Sequence, residues 1–170
     1  QETIRSARLA GYPGKVIPFT ASDLQDLSFY TNYVGVFGQQ FLSPVSNPGL
    51  HQYRFSLRDT VLSGADSIFT IDFEPRLTNF DGFQGHLRIH SRDWALLTVQ
   101  VALVPNEGGV LIQSGDIQQV YTELADGAWV PSELRTEIDT KPLSKGSPLR
   151  IHMSGYSSIT QQVLDDSTDE

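Results

Sequence analysis

Few residues in this chain have the types and spacing that chemistry needs. Its four histidines are His51, His86, His90 and His152. His86 and His90 share one face of an alternating segment, but four residues of extended chain hold them roughly 13 Å apart. That is too far for one metal ion. Arg88 lies between them, so the three read as a polar outer face. Asp72 and Glu74 are spaced roughly 7 Å along a strand, which would suit a carboxylate pair for glycoside chemistry. They sit opposite Phe69, Ile71 and Phe73, on the side expected to be wet, so a solvated edge is the simpler reading. Asn79-Phe80-Asp81-Gly82 supplies oxygen atoms without calcium-loop spacing and reads as a turn.

Motifs with a built-in mechanism are missing. The chain contains no Gly-x-Ser-x-Gly elbow, no phosphate loop and no His-Glu-x-x-His. It has no cysteine, which removes disulfides, thiolate metal sites and cysteine nucleophiles together. Trp94 and Trp129 raise the idea of a sugar-stacking platform, but each lies near an expected strand start, where aromatics commonly cover the end of a core. No catalytic residue, metal ligand or cofactor site is expected.

The elements that would position any site are mostly strands. Tyr53-Arg54-Phe55-Ser56-Leu57-Arg58 and Phe69-Thr70-Ile71-Asp72-Phe73-Glu74-Pro75 alternate apolar and polar residues. Period two marks a strand with one dry and one wet face. Ser63-Gly64-Ala65-Asp66 between them has turn chemistry, so the pair is expected to form an antiparallel hairpin. The pattern recurs over 85–90, 97–103, 117–124 and 134–138. It ends with Leu149, Ile151 and Met153 opposite Arg150, His152 and Ser154. Ser91-Arg92-Asp93 and Asp126-Gly127 are expected to turn the chain.

Before the hairpin the signals are weaker. A short strand is expected at Lys15–Phe19, with Pro18 placing it at an edge. Leu24, Leu27 and Tyr30 at helical spacing, behind a Thr20 or Ser22 cap, give a helix over 21–31. Residues 32–50 read as an apolar segment closed by a loop with Pro44 and Pro48. The expected divisions are a linker or disordered lead over 1–14, one β-rich domain over 15–160 and an acidic tail over 161–170.

Composition bounds the function. The 39% apolar and 19% charged fractions fit a folded soluble domain, and 170 residues suffice for one real core. No run approaches the roughly 18 apolar residues of a membrane-spanning helix. The net charge of −8 argues against sequence-independent nucleic-acid binding, which needs a basic surface. It also disfavours anionic lipid headgroups. The chain begins at Gln1 and its only methionine is Met153, so it is expected to be part of a longer product.

Several ordered segments resemble a known family. They are Leu27-Ser28-Phe29-Tyr30-Thr31-Asn32, Phe41-Leu42-Ser43-Pro44-Val45-Ser46, Tyr53-Arg54-Phe55-Ser56-Leu57-Arg58-Asp59-Thr60, Phe69-Thr70-Ile71-Asp72-Phe73-Glu74-Pro75-Arg76, Phe80-Asp81-Gly82-Phe83-Gln84-Gly85 and Asp126-Gly127-Ala128-Trp129-Val130-Pro131. Across roughly 25–140 the chain resembles the middle region of uncharacterised Gram-negative outer-membrane proteins. In that family a carboxypeptidase-regulatory-like β-sandwich comes first and a β-barrel ends the chain. The Phe-x-Ile-x-Phe-x-Pro arm is also similar to LolA-type lipoprotein carriers, which fold as a curved, incomplete barrel lined by helices. The resemblance implies a location at the periplasmic face of the outer membrane and no catalytic residues. The partners it implies are the rest of the longer chain and a lipid, lipoprotein or other envelope protein, with no nucleic acid.

The expected fold is therefore mainly β, with α+β left open. It is one large curved antiparallel sheet or half-barrel with an N-terminal helix. The expected function is a non-catalytic periplasmic module that binds a hydrophobic ligand or lipoprotein on the apolar sheet face: Tyr53, Phe55, Phe69, Ile71, Phe73, Leu87 and Ile89. The alternatives are a structural or protein-docking domain and, more remotely, a glycan-binding or hydrolytic one.

Overall fold

The computed structural model describes residues 8–9, 28–77, 80–106, 111–142 and 150–158. The chain is mainly β, built on one curved antiparallel sheet that does not close. Seven long strands follow one another as a meander: β4 (Tyr53–Ser63), β5 (Asp66–Pro75), β6 (Gly82–His90), β7 (Leu96–Val104), β8 (Ile112–Glu123), β9 (Trp129–Thr140) and β10 (His152–Ser158). A two-residue strand, β1 (Arg8–Leu9), pairs with β10 at one edge, and β4 forms the other edge. A small second sheet joins β2 (Tyr33–Val36) to β3 (Gln39–Leu42), followed by a short helix, α1 (Asn47–Gln52).

The register follows the alternation. Phe55 opposes Phe73, and Leu57 opposes Ile71. Phe73 opposes Gly85, Ile71 opposes Leu87 and Phe69 opposes Ile89. The same face continues through Val99, Val101 and Ile117 to Thr136 and Ile138. A one-residue slip would turn all these side chains to water. The two-residue turn Gly64-Ala65 places its one positive φ, +63°, on the glycine, as a type II′ hairpin requires. Pro131, without an N–H, falls where β8 and β9 shift register beside Tyr121, beyond the residues that β10 pairs.

The β2–β3 hairpin turns at Phe37-Gly38, with φ of +48° and +75°, and packs its apolar side on the large sheet. Phe41 and Phe29 meet Phe83 with ring centroids 5.4 and 5.1 Å apart. Val34, Val36, Phe41, Tyr53, Phe83 and Val99 are all fully buried in this core. In α1, the Ser46 hydroxyl accepts from the Gly49 N–H at 3.0 Å, a standard N-cap. The helix falls in the segment expected to be loop.

Residues 28–31 correct only the last four residues of the helix expected over 21–31. They form a turn, because side chains capture the backbone groups a helix would need. The Tyr30 N–H donates to Ser28 Oγ at 3.2 Å, the Phe29 N–H donates to Tyr121 Oη at 3.1 Å, and Ser43 Oγ donates to the Phe29 carbonyl at 2.6 Å. Such local bonds compete directly with helix formation. Residues 21–27, the strand expected at 15–19, Leu149 and the acidic tail lie outside the described residues, as does the lead over 1–14 apart from Arg8–Leu9.

Candidate functional site

The described residues do not wholly cover the apolar face of the large sheet. Beyond the β2–β3 hairpin it opens into a groove of about 600 Å³. Its floor is Phe55 of β4, Ile71 of β5, Leu87 and Ile89 of β6, and Leu96 of β7. Its walls are Tyr30, Pro44, Val45, Leu50 and Trp94, which come from the turn, the loop before α1, the helix itself and the β6–β7 connection. All ten residues are uncharged.

Three of the five wall residues, Tyr30, Leu50 and Trp94, are held for a readable reason. The Leu96 N–H donates to Tyr30 Oη at 2.8 Å, and the Tyr30 ring meets Tyr121 edge-on at 5.6 Å. The Ser46 cap fixes α1 and so presents Leu50, which is 54% exposed. Trp94 sits at φ +53°, a backbone region that costs a non-glycine residue roughly 1–3 kcal/mol. Its ring stacks on Phe69 at 5.9 Å with 14° between the planes and stays 71% exposed. Thus a large aromatic surface faces solvent at the groove mouth.

The seven residues singled out from the sequence divide into two groups. Phe55, Ile71, Leu87 and Ile89 meet in the groove. Tyr53, Phe69 and Phe73 do not line it. Phe69 lies against Trp94. Tyr53 is fully buried, and its ring meets Phe73 at 5.4 Å and Phe80 at 5.7 Å. Its hydroxyl donates to the Leu42 carbonyl at 2.6 Å and accepts from the Phe83 N–H at 3.0 Å. Burial pushes this phenol well above the usual tyrosine range, against a smaller lowering by the Phe83 N–H. Tyr53 and Phe73 are therefore core. Of the walls, Tyr30 stands out in the sequence by helical spacing and Trp94 as an aromatic near a strand start, and neither signal points to a groove; the loop wall Pro44-Val45 carries no periodic signal.

The opposite face is polar, as the alternation implied. A trough of about 620 Å³ there is bordered by Gln84, His86, Gln100, Asp116, Gln118 and Arg135, among others. Asp72 and Glu74 lie on this side, tied to Arg58 and Arg54 at 2.8 Å each. Arg135 similarly holds Glu137 at 2.7 Å. His90 sits apart from His86, 3.6 Å from both Asp66 and Asp93. The Arg92 guanidinium beside Asp93 holds that carboxyl below the usual range. Trp129 meets the His90 ring at 6.0 Å while Trp94 stacks on Phe69, so the two indoles serve different contacts. Among the described residues, no three of His, Asp or Glu gather closely enough to hold a metal ion.

A family profile matches residues 1–154. The chain belongs to DUF5686, a family of unknown function. No curated protein and no solved structure matches it. Membership in DUF5686 covers the whole sheet except the last four residues of β10, so both the groove and the polar trough fall inside the family region.

Proposed function

We propose that this DUF5686 domain is a non-catalytic module that binds a hydrophobic ligand, an acyl chain, on the apolar face of its sheet. The observation that carries this reading is the groove of about 600 Å³. Its size falls within the roughly 300–1,000 Å³ typical of small-ligand sites. An acyl chain fits its chemistry better than a sugar or peptide. No charged side chain lines it, and the one hydroxyl in its wall, on Tyr30, already accepts the Leu96 N–H. A ligand with many polar groups would lose water there without regaining hydrogen bonds.

The setting we propose is the periplasmic face of the outer membrane, where the domain works beside a β-barrel of the same longer chain and receives a lipid or the lipid moiety of a lipoprotein. The ordered segments that resemble outer-membrane proteins support this setting, and the open curved sheet fits a lipoprotein-carrier type of architecture. Titration with a fluorescent acyl-chain probe tests the binding claim. Saturation near one probe per chain is expected, with loss of binding in a folded Phe55→Asp variant. A well-folded domain that leaves the probe in water would refute it.

A further inference from the structure

Among the described residues the large sheet ends at β4, and no described strand pairs with its outer edge. At the other end β10 is partnered by β1. β4 is eleven residues long and pairs only with β5 among the described residues. Residues 56–63 are all exposed, with Leu57, Val61 and Leu62 at 62%, 46% and 79%. Long, exposed, partly apolar edges are uncommon because they template pairing with other chains. β4 contains no proline and no lysine; its protections are the charged Arg54, Arg58 and Asp59 and one register irregularity, between Leu57 and Asp59, and none of these lies at residues 60–63.

We propose that the outer edge of β4 is a strand-docking site, which takes an extended segment of another protein, alternating apolar and basic residues, as the next strand of the sheet. The backbone dictates the extended form. In a two-residue hairpin the residues flanking the turn, Ser63 and Asp66, bond to each other. By alternation the N–H groups of Leu62 and Thr60 then face outward. The Thr60 N–H is met by Asp59 Oδ1 at 2.7 Å, so a side chain of the same edge occupies a donor that an incoming carbonyl would take. Main-chain bonds of this kind supply affinity, and the flanking side chains supply selectivity.

The side chains specify the guest. Leu57 and Leu62 lie on the apolar face, since they oppose Ile71 and Ser67, whereas Asp59 and Val61 lie on the other, opposite Thr70 and Ile68. Apolar guest residues fit beside Leu57 and Leu62. Arg54 and Arg58 are already neutralised by Glu74 and Asp72. Asp59 has no cationic partner among the described residues, and the chain carries −8 overall. A lysine or arginine on the guest therefore meets both a local and a global field of opposite sign.

A second copy of this chain fits poorly. Two-fold antiparallel pairing sets one residue opposite itself. A register centred on Arg58 or Asp59 opposes like charges, which destabilises a cross-strand pair. A register centred on Leu57 or Thr60 sets Asp59 against Phe55 or Val61. A register centred on Val61 or Leu62 avoids these oppositions but overlaps only residues 59–63 or 61–63, because β4 ends at Ser63; the Arg58-Asp59 pair thus discourages the longer self-pairings while leaving a basic guest welcome.

The test is amide NMR of the 170-residue chain with an N-acetylated peptide that alternates valine with lysine. Saturable shifts confined to β4 and its neighbour β5 are expected, with hydrogen exchange at Leu62 and Thr60 slowed by about tenfold or more. A peptide with glutamate in place of lysine should bind about tenfold more weakly. Leu62→Pro removes an outward donor without removing a β4–β5 bond, and should abolish binding while the remaining spectrum persists. If that variant fails to fold, Asp59→Lys decides instead, since it should reverse the preference to the glutamate peptide. Shifts centred on the groove or the polar trough, equal binding of both peptides to the unaltered chain, or formation of a β4–β4 dimer would overturn the proposal.

Discussion

The Tyr53 hydroxyl offers the sharpest test of how the small hairpin is tied to the sheet. Leu42 ends β3 and Phe83 lies near the start of β6, and one oxygen bonds both backbones, at 2.6 and 3.0 Å. Tyr53 and Phe83 are fully buried and Leu42 is 7% exposed, so water does not easily replace the lost oxygen. Tyr53→Phe leaves one buried carbonyl and one buried N–H without this partner, each worth about 1–3 kcal/mol. Some relaxation is expected, which gives a total loss of about 2–4 kcal/mol. Urea unfolding followed by tryptophan fluorescence should show a lower midpoint at unchanged slope. Alkaline pH supplies an internal control. The unfolded phenol ionises near 10.0, while the folded one is held protonated to higher pH by burial. Above pH 10 the unfolded state therefore binds fewer protons, and stability falls as pH rises. Tyr53→Phe lacks this component, so the gap between the two proteins should narrow there. A loss below about 0.5 kcal/mol, or a gap that widens above pH 10, would refute the reasoning.

Two further changes probe the sheet and the groove wall. A methyl group at Gly85 would collide with the Gln100 carbonyl and come within 2.8 Å of Val101 Cα, backbone that cannot retreat without opening the β6–β7 ladder. Gly85→Ala should cost about 3 kcal/mol and lower Tm by roughly 10 °C in a thermal melt. Ser46→Ala removes both the α1 cap and a 2.7 Å bond to the Ser43 carbonyl. It should cost about 1 kcal/mol and weaken the acyl probe, because α1 carries Leu50 into the groove wall.

The sheet was legible because each strand carries its own period-two record. Alternation at 53–58 and 69–75 places Phe55, Ile71 and Phe73 on one face whatever the surroundings. Glycine-bearing turns at 63–66 and 126–127 fix where the chain reverses. Legibility failed where distant groups decide. Residues 28–31 have helical spacing, yet Tyr121 and Ser43 take their backbone bonds from 92 and 14 residues away. Ser46 before Asn47-Pro48 is a helix start, but six residues carry too little periodicity to be read. Leu57 has the spacing of its buried neighbours yet is 62% exposed, because β4 is the edge strand of the sheet among the described residues. The groove was only half visible for the same reason. Its floor is strand and follows the alternation, whereas Pro44, Val45, Leu50 and Trp94 reach it through turns and loops.

The most direct test of the central claim locates the ligand. A spin-labelled fatty acid titrated into the isotope-labelled chain should broaden the side-chain signals of Ile71, Leu87, Ile89 and Leu50 first, and a reduced label should restore them. Signals of Ala102 and Val120, which lie on the polar face with Gln100 and Gln118, should stay sharp at the same ratio. Broadening spread evenly over both faces, or centred on the polar trough, would contradict the assignment of the apolar groove as the binding site.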